Sequence, residues 1–182
     1  RKENNSFVLT IQISCDGKNY RDGIDISSKE IKKKKKEHML KTSSPVGQEL
    51  FSLLESLKVN GYSHVIGIFL SAGISGTSNQ MRLFSQSQED LVCHIIDSKS
   101  ASVGLGIIAI ELAHYCQKGV TFEQAISYGE KLVEEKYAYF SIDDLGFLQK
   151  GGRIGKASAF LGTTLKIKPI LYFEKENGEI YV

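Results

Sequence analysis

The chain predicts an α/β fold: a doubly wound, mostly parallel sheet with helices on both faces, followed by the start of a second, α+β lobe with antiparallel strands. Three observations carry this. Short apolar runs of strand length alternate with helical patterns of ~10–15 residues, which is the order of βαβ units. The runs at 64–70 (His-Val-Ile-Gly-Ile-Phe-Leu) and 91–96 both stop abruptly at small or polar residues, as buried strands do at their ends. Near the end, a strand pattern over 165–173 meets Asn177-Gly178, a strong hairpin signal, and then a return strand over 179–182. The expected division is an α/β domain over 1–164, lacking its first strand, and a truncated second lobe over 165–182.

In chain order, residues 7–14 alternate loosely and are β-branched, a strand pattern, and Asp16-Gly17-Lys18 is a turn signal leading to an extended arm over 19–26. Ser27 or Ser28 can cap a helix over 29–40. That helix contains five consecutive lysines, Lys32 to Lys36. Such a run reads as a solvated face, or as a transient contact with a membrane surface or acidic partner. Lys41-Thr42-Ser43 reads as loop. Ser44 as N-cap and Pro45 as first helical residue open the next helix, with Val46, Leu50, Leu53, Leu54 and Leu57 on one face and Gly61 at its end. A third helix follows Thr77. Residues 102–117 are apolar almost all round, as in a helix buried between layers. Thr121 and Gln124 form a capping box for an amphipathic helix to about Lys136. Residues 137–142 read as a fourth strand. Ser141 and Asp144 form another box for a short helix to Lys150.

Chemistry concentrates in three segments. In Ser71-Ala-Gly-Ile-Ser-Gly-Thr77 a strand breaks into glycine and hydroxyl residues before a helix, which sets free N–H groups at a helix N-terminus where an anion is favoured. The alternative is a plain capped turn. The loop lacks the Gly-Lys-Ser/Thr of a nucleoside triphosphate loop. Thr77 also stands where a nucleophile elbow needs its second glycine. Thr42 and Ser43 are hydroxyls before a second helix. In Lys150-Gly-Gly-Arg153-Ile-Gly-Lys156 two glycines flank an arginine, the side chain best shaped for a carboxylate or phosphate. Ligands in such sheets lie at the carboxyl ends of strands, where the 71–77 loop and Asp97-Ser98 fall.

The 182 residues carry a net charge of +2, too little to argue for nucleic acid. No apolar run reaches the ~20 residues that span a bilayer. Cys15, Cys93 and Cys116 are odd in number, show no metal-type spacing and fit a reducing cytoplasm as small core residues. No metal or cofactor is expected. His38, His64, His94 and His114 are scattered. His64 and His94 open strands at the end away from the expected site, and His114 reads as a core histidine.

Together these stretches resemble the DegV family, the bacterial fatty-acid-binding proteins. Asp16-Gly-Lys-Asn-Tyr-Arg-Asp-Gly23 looks like its early "DG-x-x-Y-x-D" segment. Lys41-Thr-Ser-Ser-Pro45 looks like "TSQPS", with Ser44 for Gln and Val46 for the final Ser. Ser71 to Thr77 looks like "SSxLSGT", with Ala72 for the second Ser. Asp97-Ser-Lys-Ser-Ala-Ser-Val-Gly104, Asp144 to Ile154 and Ile167-Lys-Pro-Ile170 look like "DS-x-x-xS-x-G", "L-x-x-L-x-kGGRI" and "iKPil". The motifs run in order over nearly the whole chain. The family starts with an earlier strand and an Asp-Ser-Thr-type loop, and continues past Val182, so the chain is expected to be partial. The resemblance implies a cytoplasmic carrier of one long-chain fatty acid. Its carboxylate would be held by Thr42, Ser43, Ser75, Gly76 and Thr77, and Arg153 would meet an acyl phosphate or a separate ATP-dependent fatty acid kinase subunit. A phosphoryl- or acyl-transfer enzyme using Ser75, and a small-anion sensor, are the alternatives.

Overall fold

The computed structural model describes residues 5–161 and 168–182, apart from the Lys36 side chain. Strands are β1 Gln12–Cys15, β2 Lys18–Arg21, β3 Lys41–Ser43, β4 His64–Phe69, β5 Val92–Asp97, β6 Tyr139–Phe140, β7 Leu171–Phe173 and β8 Ile180–Tyr181. Helices are α1 Ser28–Glu37, α2 Gly47–Val59, α3 Thr77–Gln86, α4 Ser102–Cys116, α5 Phe122–Glu135 and α6 Gly146–Lys150, with a 3-10 turn at Gly155–Phe160.

The fold is α/β, and the parallel pair β4–β5 is its centre. Its register runs from His64 opposite Val92 to Phe69 opposite Asp97. Side chains alternate across the pair, because successive residues of a strand point to opposite faces. Val65, Phe69, Cys93 and Ile95 meet one core cluster, built on Leu50, Leu54 and Leu57 of α2, Met81 of α3, and Leu91. Ile66, Ile68 and Ile96 meet a second cluster, with Ile108 and Leu112 of α4 and Ala125 and Leu132 of α5. Helices therefore cover both faces, as a doubly wound sheet requires. The spacing of Leu50, Leu54 and Leu57 is that of one helical face, and the first two are wholly buried.

Two antiparallel sheets flank the pair. One has the order β2-β1-β3, and the other β6-β7-β8. The second gives the antiparallel lobe expected after the parallel unit. Its core of Ala157, Leu171, Phe173 and Ile180 also packs on Ile74 and Ala101, so the hairpin rests against the ends of β4 and β5. The expected boundary at 164/165, and the first part of the strand expected over 165–173, lie outside the described residues.

Several local expectations are corrected. Residues 41–43 form β3, since Lys41, Thr42 and Ser43 pair with Ser14, Ile13 and Gln12. The α2 cap is at Val46, whose N–H donates to Glu49 at 3.3 Å, and Val46 is 55% exposed rather than core. Glu49 at the third helical position receives the Val46 N–H, so the helix starts beyond Pro45 and Ser44 is not its cap. Within the strand expected over 7–14, the β1 ladder begins only at Gln12. The fourth strand candidate shortens to β6 and runs antiparallel to β7. Only Ile108 and Leu112 of α4 are buried, whereas Val103, Ile107 and Ile110 are exposed. His114 and Cys116, on the same helix, are exposed too and are not core residues.

Candidate functional site

The site is built where β4 and β5 end side by side. The β4 chain leaves the sheet at Phe69 and turns at once, with the N–H groups of Ile74 and Ser75 both donating to the Ser71 carbonyl at 3.0 Å. The Ser71 N–H donates to the Ser100 carbonyl at 2.9 Å, which ties this loop to the one after β5. Asp97, the last residue of β5, accepts at Oδ1 from the N–H groups of Ala72 (3.1 Å) and Lys99 (3.0 Å). Its Oδ2 pairs with Lys99 Nζ at 3.2 Å, and Lys99 Nζ also donates to the Glu176 carbonyl at 3.2 Å. One carboxylate therefore holds both loops in place.

The loop delivers its donors at the start of α3. Ser75 Oγ lies 2.9 Å from Thr77 Oγ1, and Thr77 N–H donates to Ser75 Oγ at 3.4 Å. Gly76 is the N-cap and supplies no side-chain hydrogen bond to α3. First-turn N–H groups have no carbonyl partner within a helix; that of Thr77 is met by Ser75 Oγ, and those after it can serve an outside acceptor. Ser78, one residue further, is wholly buried, and among the described residues its Oγ has no hydrogen-bond partner. Buried hydroxyls are ordinarily paired. Ser78 is thus a site candidate that the sequence pattern did not single out. The only signal was its position as a third hydroxyl in Ser75-Gly-Thr-Ser78.

The hairpin closes the loop from the other side. Ser71 Oγ, fully buried, donates to the Gly178 carbonyl at 2.6 Å. The backbones touch here: a Cβ on Gly73 would lie 2.3 Å from the Gly178 carbonyl carbon, and Gly178 has φ +69°. Glycine is required on both sides of this contact.

Arg153 reaches the same loop. Its Nε donates to the Ile74 carbonyl at 3.2 Å, while the side chain remains exposed. Thr42 and Ser43 are exposed on β3, at the far side of the turn into α2. Among the described residues, no hydrogen bond ties either hydroxyl to the 71–77 loop. Ser75 and Thr77 thus touch directly around Gly76, Arg153 meets the same loop one residue earlier at the Ile74 carbonyl, and Thr42 and Ser43 lie on a separate element. Neutral hydroxyls, helix N–H groups and one guanidinium make a set suited to a carboxylate or phosphate. Around Ser75 Oγ the recorded partners are Thr77 groups, with neither a histidine nor a carboxylate bonded to it among the described residues.

Of the histidines, His64 packs edge-on against Phe122 with ring centroids 4.8 Å apart, and His94 Nε2 lies 3.0 Å from Glu130. His64 sits at the opposite end of its strand from the site, whereas His94, expected to open a strand, lies in the middle of β5 opposite Ile66. No helix of the described residues is long and apolar enough to cross a membrane.

Comparison with known proteins gives a consistent result. A family profile described as "Uncharacterised protein, DegV family" matches residues 1–182. A DegV domain-containing protein of Clostridium acetobutylicum is 36% identical over 170 residues, 93% of this chain and 61% of that protein. Another, from Streptococcus pneumoniae, is 37% identical over 181 residues, covering 96% of this chain and 63% of that protein. Among solved structures, DegV of Bacillus subtilis, described as a fatty acid binding protein, superposes with TM-score 0.87 at 33% identity, covering 99% of this chain and 64% of that one. A stearic acid-binding protein from Eubacterium ventriosum gives TM-score 0.86 at 26% identity, with 98% and 63% covered. The chain thus spans about three fifths of the length of these relatives. With the profile matched from end to end and relatives above one third identity, this chain belongs to the DegV family.

Proposed function

We propose that this chain forms the head-group end of a site for one long-chain fatty acid, with the acyl chain running on into parts of the protein beyond it. The observation that carries the reading is the hydroxyl pair Ser75–Thr77 at the start of α3, with Arg153 donating to the same loop. Relatives described as fatty acid-binding share this fold over nearly all of the chain. A buried carboxylate stays charged only if hydrogen bonds replace its water, and this loop offers them. Burial of the tail would supply most of the affinity, at ~0.8 kcal/mol per methylene.

In this reading Ser75, Gly76 and Thr77 hold the carboxylate, and Thr42 and Ser43 approach it from β3. Arg153 faces the acyl phosphate or a separate ATP-dependent kinase subunit. The protein works in the cytoplasm as a carrier rather than a catalyst, and the lysines of α1 serve transient contact with a membrane surface. A carrier is favoured over a transferase because the recorded hydrogen bonds of Ser75 include no general base.

Native mass spectrometry of the full-length protein tests this. A co-purifying mass equal to one fatty acid is expected, and Ser75→Ala should lower its occupancy. Arg153→Ala should slow phosphorylation of the bound acid by a kinase partner more than it lowers occupancy. An empty wild-type protein, or full occupancy and normal phosphorylation in Ser75→Ala, overturns the assignment.

A further inference from the structure

Away from this loop, the end of the β1–β2 hairpin and the end of α1 bring three chemically distinct donors together. Cys15, Asp16 and His38 have their Sγ, carboxylate and imidazole atoms all within 4.8 Å of one another. His38 Nδ1 lies 2.8 Å from Asp16 Oδ2, and Cys15 Sγ is 3.8 Å from the same oxygen. We propose that these three residues form a binding site for a zinc-class divalent cation, with one coordination position left to solvent.

The donor set is the first argument. Thiolate, imidazole and carboxylate together suit Zn²⁺ rather than Mg²⁺ or Ca²⁺, which take oxygen ligands. Three protein ligands with an open fourth position is a known tetrahedral pattern for this ion. Local rigidity is the second. Asp16 is held at φ +50° and Gly17 at φ +75° in the tight turn, and Cys15 pairs with Lys18 across it. His38 caps α1, its N–H donating to the Lys34 carbonyl at 2.8 Å. The third is the surrounding field. His38 stands at a helix C-terminus, where the dipole favours a cation. Its other ring nitrogen lies 3.9 Å from a Glu37 carboxylate oxygen, which adds negative charge beside the site.

The lysines of α1 oppose a cation, but two of them are engaged elsewhere. Lys34 lies over the Tyr20 ring at 5.6 Å and Lys35 over Phe147 at 3.5 Å. Cys15 is 3% exposed, so its sulfur opens only toward its neighbours, whereas Asp16 and His38 are accessible to an incoming ion. Binding replaces the Cys15 thiol proton with the metal and releases that proton to solvent.

The test is titration of the purified protein with Zn²⁺ and, as a spectroscopic probe, Co²⁺. One equivalent of Zn²⁺ should bind, and Co²⁺ should show a thiolate-to-metal charge-transfer band. Cys15→Ser should abolish that band. His38→Ala and Asp16→Asn, both exposed positions that leave the fold intact, should each weaken binding by at least about tenfold. No binding at tens of micromolar Zn²⁺, a band that persists in Cys15→Ser, or unchanged affinity in both exposed-site variants overturns the proposal. The readout is independent of any fatty acid.

Discussion

At the scale of single residues, the chain places charge where hydrogen bonds already exist to receive it. Arg21 and Asp25 illustrate this. The guanidinium grips both carboxylate oxygens at 2.9 Å, and the Arg21 N–H adds a third bond at 2.9 Å. The side-chain bond from Arg21 is the largest cause of a pKa held down at about 2, from an ordinary 3.8. A carboxylate with a depressed folded pKa stabilises the fold above its unfolded value and loses that contribution as pH falls through the folded one. The arm over 19–26 should therefore loosen between about pH 4 and pH 2. Carboxyl NMR titration should place the Asp25 midpoint near 2 and return it toward 4 in Arg21→Ala; a wild-type midpoint near 4 would remove the argument. The pair is exposed, so the effect on global stability is small.

Residue-scale reading of the sequence succeeded where the chemistry is local. The capping box of Thr121 with Gln124 forms as its residue types suggested, and a helix does start at Thr77 after the hydroxyl loop. It failed where a residue's role depends on something distant in sequence. Ser71 looked like part of an anion cradle, yet its hydroxyl is taken by Gly178, more than a hundred residues away. Nothing near Ser71 in the chain could have announced that bond. The juxtaposition of Cys15 with His38 was hidden in the same way, because metal-type spacing is a pattern within one segment and this pair spans two elements.

At the scale of elements, the parallel pair was legible because its two runs are continuous and apolar. The short strand β3 was not legible, since three exposed polar residues carry no period; β6 and β7 fall inside the expected strands but are shorter. The burial of α4 was over-read for a related reason. Apolar residues all round a helix indicate burial only if something covers every face, and here Val103, Ile107 and Ile110 stay exposed. Two predictions belong at this scale. Thr121→Ala removes the hydroxyl that receives the Gln124 N–H, and should lower stability by ~1 kcal/mol in denaturant titration. Gly73→Ala places a methyl into the Gly178 backbone. The cost of such overpacking is ~1–3 kcal/mol, and hydrogen exchange should show faster amide exchange in the β7–β8 hairpin while β4 and β5 keep wild-type protection. Unchanged exchange in the hairpin would mean that its tip does not rest on the loop.

At the scale of the whole molecule, the candidate site lies where three groups of elements meet. The sheet supplies two parallel strand ends, the helix layer supplies the start of α3, and the antiparallel lobe supplies the hairpin tip and Arg153. Asp97 and Lys99 bind the three together through a short chain of contacts. Lys99→Met keeps the stem but loses both polar links. It should therefore reduce acyl occupancy in the full-length protein although Lys99 donates nothing to Ser75. Occupancy equal to wild type in Lys99→Met would show that the loop holds its shape without the hairpin.

The Ser71–Gly178 bond also sets a count. With the tip seated, the Ser71 hydroxyl spends its one proton on a carbonyl and has none for a guest anion. Lift the tip, and the loop that also carries Ser75 and Thr77 acquires a spare O–H. For the proposed head-group site, the number of protons on offer would then be a function of hairpin position, and whatever grips that hairpin would tune how firmly a carboxylate is held.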